Sequence, residues 1–306
     1  LRDKDMYISR KCSASYLYSL EPMNVGTPMV ECLMSYLGRL ALAHNVELTK
    51  LTAHIIALHP CKRSLYPKQF APVPRGWSAS FYGTGKIATM IAESLELLTL
   101  QKGFKYMTML TWKEVIHNRM FYCDKKWCPE CFDEWSEANK EIYEPLMWYL
   151  TSTNACLRHK RKLESLCPNP KCKKSKSNRI DYPGYCYRCG NWLGQKEYKF
   201  FQKEHNLTER DEWINRSIEE LLEIAPYVIP PTMELVCSII EGNMRKFFQG
   251  NQKDFCSVTD MHPISLRAIL QRSQKRLPLR ALLLLSYYTR TPLLEVMGVS
   301  YKDSNE

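Results

Sequence analysis

Eight side chains with the chemistry of soft metal ligands lie between positions 128 and 189, in two sets of four. Cys128-Pro-Glu-Cys131 is followed by Cys156-Leu-Arg-His159, and Cys167-Pro-Asn-Pro-Lys-Cys172 by Cys186-Tyr-Arg-Cys189. A tight turn can aim two donors at one ion when two to four residues separate them. Two such pairs complete a tetrahedron: three thiolates and an imidazole at the first site, four thiolates at the second. A shell filled by protein leaves no position for water or substrate, so the expected cofactor is a pair of Zn2+ ions that hold shape. Glu130, between two ligands, superficially suggests the general base of a zinc-dependent nuclease or hydrolase, but that chemistry needs an open coordination position. No H-E-x-x-H or H-x-E pattern occurs, and His117 has no acidic partner at a useful spacing. Gly83-Thr-Gly-Lys86 is not a phosphate loop, because Ser80 and Ile87 stand where that motif needs Gly and Ser or Thr.

Composition frames these sites. The chain has 306 residues, enough for two or three domains, with 45% hydrophobic content. It opens on Leu1 rather than Met, so a trimmed start is expected, and further DNA-reading parts beyond Glu306 are an open expectation. No stretch reaches the roughly 18 consecutive apolar residues of a membrane span. The opening residues lack the apolar core of a secretion signal. Of the thirteen cysteines, seven fall at zinc spacing, which points to a reducing bacterial cytoplasm rather than a disulfide scaffold. Cys12, Cys32, Cys61, Cys123, Cys237 and Cys256 are dispersed and read as inert.

Net charge is +11, concentrated in two places: +9 over Lys160–Lys203 and +7 over Met244–Arg290, leaving −5 for the rest. Such clusters favour a polyanion, because each neutralised phosphate releases counterions. Lys173, Lys174, Lys176 and Arg179 lie between the two cysteine pairs of the second set and are candidate DNA contacts.

The elements that must position these groups are mainly α-helical, with small zinc-ribbon or knuckle elements, in three parts: an N-terminal helical domain (1–119), a double zinc module (120–203) and a C-terminal helical domain (204–306). Thr27 and Pro28 predict the start of a helix that stops near His44-Asn45. A second helix runs from about Leu48 to before Pro60, and a third over Lys86–Leu98, with a loop over 60–82 between them. Asp133, Glu134, Glu137, Glu141 and Glu144 form an acidic stretch that is a candidate protein-docking face. Trp135, Tyr143, Leu146, Trp148 and Tyr149 are expected to pack against the metal sites. Gly190 fits a knuckle whose amides face the thiolates. Later helices are expected from Thr208 to Pro226 and from Glu234 to Phe248.

Asp254 to Gly298 has the rhythm of a helix-turn-helix. A short helix with Phe255 and Val258 leads to a turn at His262-Pro263, and Ser265 opens a second helix to Ser273. An apolar helix from Arg280 braces both, and Thr291-Pro292 caps a last one. In a DNA-reading arrangement the helix from Ser265, carrying Arg267 and Arg272, would enter the major groove, and Lys275 and Arg276 would touch phosphates. A small helical bundle with surface arginines fits the pattern equally well, and the basic charge favours DNA.

The order of parts resembles the TniQ/TnsD family of transposition target-selection proteins. Glu31-Cys-Leu-Met-Ser35-Tyr-Leu-Gly-Arg39-Leu-Ala41 is similar to the family's N-terminal signature. Cys128 to Cys131, Pro145-Leu-Met-Trp148 and Cys156-Leu-Arg-His159 resemble its central zinc region, and Pro183 to Leu193 its second. The resemblance implies a non-enzymatic adaptor that recognises a DNA target and recruits the AAA+ ATPase TnsC and, through it, the transposase. Some members bind a fixed DNA site, and others are carried by a CRISPR RNA-guided effector complex. A zinc-bearing transcription regulator explains the charge and the helix-turn-helix but not the N-terminal signature.

Overall fold

Apolar residues at helical spacing, interrupted by residues that leave helical space, set the architecture of this computed structural model. It describes residues 14–59, 78–81, 83–117, 125–172, 182–194, 207–273 and 276–301. Helix α1 (Leu33–Ala43) buries Leu33, Leu37 and Leu40, and the chain turns away at Asn45, where φ is 52°. The start predicted at Thr27-Pro28 does not occur. Gly26 sits at φ 79°, the Thr27 hydroxyl donates to the Asn24 carbonyl at 2.9 Å, and Glu31 bridges to Pro145. Cys32 N donates to Glu144 O and Leu146 N to Val30 O, both at 2.9 Å. This ladder satisfies backbone groups that a helix would otherwise satisfy, so the segment stays extended. Cys32 is the cap instead, its Sγ accepting from the Ser35 amide at 3.4 Å.

Helix α2 (Leu48–Leu58) packs on α1, and α4 (Lys86–Thr99) packs on α2. Between them a short α3 (Ser78–Phe81) interrupts the stretch expected to be loop. Two single 3-10 turns, Phe104–Met107 and Leu110–Trp112, carry the chain toward α5 (Pro129–Glu137). After a further 3-10 turn, Leu146–Tyr149, strands β1 (Ala155–Cys156) and β2 (Arg161–Lys162) form an antiparallel hairpin.

In the last third, Thr208 and Asp211 form a reciprocal capping box that starts α6 (Glu209–Glu223). Helix α7 (Met233–Phe248) follows β3 (Val228–Ile229), and α8 (Gln252–Thr259) follows a turn through Gln249 and Gly250. Helix α9 (Pro263–Leu270) begins earlier and ends earlier than predicted. His262 is its cap, Nδ1 accepting from the Ile264 amide at 3.2 Å, so Ser265 lies inside the first turn rather than opening it. Helices α10 (Leu279–Thr289) and α11 (Leu293–Met297) complete the bundle, and β4 (Ser300–Tyr301) pairs back on β3. Thr291 was expected to cap α11, but its hydroxyl donates back to the Thr289 carbonyl, and Pro292 occupies the cap position.

The three stretches are joined by backbone and side-chain bonds. His117 N donates to Leu277 O at 3.0 Å and Leu277 N to Val115 O at 2.7 Å. On the other side, buried Asn215 of α6 donates to Asn154 at 3.1 Å and accepts from Ala155 N at 3.4 Å, which braces the start of β1. One apolar cluster runs through all three. Among the described residues no helix is long and apolar enough to cross a membrane.

Candidate metal centres

The first centre is assembled from one helix start and one hairpin. Cys128 caps α5, Pro129 takes the first helical position, and Cys131 follows in the first turn. The amide-rich end of a helix favours thiolates. Cys156 ends β1, and His159 sits in the turn before β2, which Lys160 closes at φ 47°. His159 Nδ1 lies 3.3 Å from Cys128 Sγ, 3.3 Å from Cys131 Sγ and 3.5 Å from Cys156 Sγ, and the Cys131 and Cys156 sulfurs are 3.7 Å apart. Donors held at about 2.3 Å (sulfur) and 2.0 Å (nitrogen) from one tetrahedral ion stand roughly 3.5–3.8 Å from one another. The four groups therefore have the separations that a shared ion demands. With only protons to share, bonding to Cys128 and Cys156 pushes the His159 imidazole up to about 11.

At the second centre, Cys167 and Cys172 flank a turn in which Cys172 N donates to Asn169 O at 2.9 Å. Cys186 and Cys189 belong to a knuckle closed by the Tyr185–Trp192 bridge. Sulfur separations are 3.6 Å for Cys167–Cys189 and 3.9 Å for Cys172–Cys186. The amides facing the Cys186 sulfur are those of Arg188 and Cys189, and the Gly190 amide closes the same turn by donating to the Cys186 carbonyl at 2.8 Å. Gly184 is required beside this knuckle. Its φ is 82°, and a Cβ there would come within 2.6 Å of the Trp192 ring and 2.8 Å of Ile142. Both quartets hold their ligand atoms within 4.8 Å of one another, so each could hold a metal ion.

The side chains around the centres were not legible as partners in the sequence. His159 Nε2 faces Glu134 at 2.8 Å, and a proton held there leaves the Nδ1 lone pair to a metal among the sulfurs when one is bound. A carboxylate behind a ligating imidazole fixes its tautomer and raises its basicity. Glu134→Gln is expected to weaken metal binding at the first centre about 10- to 100-fold, read by competition with a chromogenic chelator. Unchanged affinity would reduce the Glu134 contact to a surface pair. Arg161 bridges Glu130 at 2.9 Å and Glu164 at 2.7 Å, so Glu130 serves as a charge partner. The centres are also tied to each other: Trp192 Nε1 donates to Asp133 of α5 at 2.8 Å, and Trp127 Nε1 to Leu193 O at 3.0 Å.

A second polar system runs from α1 to the knuckle. Glu31, Ser35 and Arg39, spaced four apart, form one inward stripe. Arg39 grips Glu31 with Nε at 2.8 Å and Nη2 at 2.7 Å, and the Ser35 hydroxyl donates to Glu31 at 2.9 Å while accepting from Glu144 N at 2.9 Å. Glu144 takes Lys125 Nζ at 2.7 Å and the Tyr149 hydroxyl, and Lys125 reaches Tyr185 O at 3.5 Å. Lys125 and Glu144 are 1% and 2% exposed. The acidic stretch is therefore not one docking face. Asp133 and Glu144 are buried and engaged, Glu134 holds His159, and Glu137 and Glu141 remain outside. The aromatic side chains of this stretch pack on one another: Trp135 stacks on Tyr143 at 4.7 Å, and Phe132 meets Trp148 edge-on at 5.2 Å.

Of the candidate DNA contacts, Lys173, Lys174, Lys176, Arg179 and Lys275 lie outside the described residues. Arg267 is exposed on α9, Ser265 is half-buried beside it, and Arg272 pairs with Glu241 at 2.8 Å. Arg276 lines a hollow of about 810 Å3 together with Glu114 and His117, so that histidine does share its surroundings with an acid. Cys237 is buried and Cys256 half-buried, whereas Cys12, Cys61 and Cys123 lie outside the described residues.

Residues 22–163 match the family model TniQ. The match takes in the α1 signature and the first centre and stops short of the second. No curated protein matches the chain.

Proposed function

We propose, starting from the TniQ domain that residues 22–163 carry, that this chain is a transposition-associated target-selection protein acting as a non-catalytic adaptor. The observation that carries this reading is the coincidence of the match with one structural unit: the signature helix, the first centre and the buried ladder between them. In this reading Cys128, Cys131, Cys156 and His159 hold one zinc ion, and Cys167, Cys172, Cys186 and Cys189 hold another. Four protein donors per ion leave no position for substrate, so the metals supply rigidity.

The C-terminal part supplies the DNA contact. Helices α8 and α9 are separated by three residues, with Asp260 at φ 55° and Met261 buried, a turn suited to a helix-turn-helix. Ile264, Arg267 and Gln271 fall on one outward stripe of that unit, Ile264 being 68% exposed. Arg267→Glu is expected to weaken duplex binding at least tenfold at moderate salt, and reversing Lys173, Lys174 and Lys176 together is expected to flatten the salt dependence. Both are read by titration at two ionic strengths, and unchanged binding would make these surfaces solvated faces only.

The adaptor role is tested by mixing the zinc-loaded chain with the AAA+ ATPase TnsC assembled on DNA with ATP. Co-sedimentation with the ATPase, and through it with the transposase, is the expected result. A chain that binds a specific duplex but ignores the ATPase would instead be a zinc-bearing transcription regulator. Addition of a CRISPR RNA-guided effector separates direct recognition of a DNA site from delivery by RNA.

A further inference from the structure

The second centre presents a surface that holding a metal does not use. Tyr182 and Tyr185 are 54% and 45% exposed, and with Tyr187 they line a hollow of about 390 Å3 over the knuckle. Tyr182 also walls an adjoining hollow of about 400 Å3, closed on its far side by Leu42 and Val46 at the α1–α2 corner. Tyrosine normally hides its ring in a core or an interface, so a cluster of exposed rings around one concave surface asks for an occupant. The Tyr185 ring is also held firmly. Tyr185 meets Trp192 edge-on at 5.1 Å, pairs with it through the backbone, and follows the tightly enclosed Gly184. A ring fixed before binding loses little further freedom when a ligand arrives.

Charge identifies the ligand. Arg188 is exposed beside Tyr187, and Lys171 is exposed beside the ligand position Cys172. Flat aromatic faces beside cations complement a strand whose bases are unstacked, because each base has a face to stack and each linkage a phosphate to neutralise. A duplex keeps its base faces inside and gives such rings nothing. An acidic peptide would use the cations and leave the rings idle.

We propose that the Tyr182–Tyr185–Tyr187 face of the second centre binds an unpaired DNA strand by base stacking. Only the choice of DNA rests on the target-selection reading; the stacking chemistry stands on the surface itself.

The test uses the full zinc-loaded chain and a fluorescein-labelled oligothymidine, with anisotropy as the readout. Tyr182→Ala together with Tyr185→Ala is expected to weaken binding about tenfold or more, as loss of stacking under one or two bases requires. The matching pair of Tyr→Phe changes keeps the rings and is expected to bind within about twofold of the parent. Zinc content is measured alongside, and Tyr182→Ala alone serves if the double variant loses metal. Undiminished binding by the alanine variants overturns the proposal, as does equal loss in the phenylalanine pair. Oligouridine outcompeting oligothymidine by about tenfold would assign the face to RNA and overturn it too. Failure of ATPase recruitment while oligothymidine still binds would count against the adaptor role alone.

Discussion

On the proposed loading of both quartets with zinc, treatment with a strong chelator is expected to unfold the middle of the chain. A structural zinc site contributes about 10–16 kcal/mol of apparent free energy at neutral pH, as much as the whole stability of an ordinary domain, about 5–15 kcal/mol. The first centre pins the start of α5 to the β1–β2 hairpin, and without an ion three buried sulfurs and an imidazole would face one another with only protons to share. Trp127, Trp135, Trp148 and Trp192 all lie on elements these centres hold, so the near-UV circular dichroism reports the loss directly. That signal is expected to collapse in chelator and return with added zinc. Cys131→Ser is expected to abolish metal binding at the first centre and destabilise more than Cys189→Ser, because Cys131 is 1% exposed whereas Cys189 is exposed. An unchanged near-UV spectrum in protein shown by elemental analysis to be metal-free would refute a structural role for the ions.

Arg39→Ala is expected to be the most damaging single substitution away from the metal ligands. Glu31 is completely buried, and Arg39 supplies two of its hydrogen bonds. Removing one partner of a buried pair strands the other, at a cost of about 3–5 kcal/mol. For a chain of this size that corresponds to a fall in Tm of roughly 10 °C. Burial pushes the Glu31 carboxyl above its ordinary range, and the Arg39 guanidinium opposes that push. Without Arg39 the carboxyl is held protonated more strongly in the folded chain than in the unfolded one. Its contribution is then retained at low pH and lost as pH rises from the ordinary carboxylate range through the raised value. The deficit of Arg39→Ala is therefore expected to be larger at pH 8 than at pH 5, measured by thermal melts. The double variant Glu31→Gln with Arg39→Met leaves no stranded charge and should recover part of the loss. A melt of Arg39→Ala within a degree of the parent at both pH values would show that the pair contributes nothing.

This same pair marks the boundary between what could be read in advance and what could not. Glu31, Ser35 and Arg39 stand four residues apart in the chain, but only Ser35 and Arg39 share a face of α1, and Glu31 meets that face from the extended segment before it. That the face turns inward onto Glu144, and that Glu144 then takes Lys125, depends on how the extended segment before α1 lies against residues 144–146. The misplaced starts of α1 and α9 have different origins. Thr27 and Ser265 are good capping residues by type, but Cys32 caps α1 because the ladder to residues 144–146 keeps the preceding segment extended, and His262 caps α9 locally with Pro263 at the first helical position.

The sequence by itself determined the two ligand quartets, most helix spans and the segregation of positive charge. Each is a local quantity: cysteine spacing within a turn, apolar period along a helix, composition along a stretch. Only the tertiary structure decided which carboxylates are buried partners and which stay in water, that Glu134 backs His159, and that Asp133 reaches Trp192. Charge pairing has no period along a chain, and burial of a carboxylate follows from where distant elements close over it.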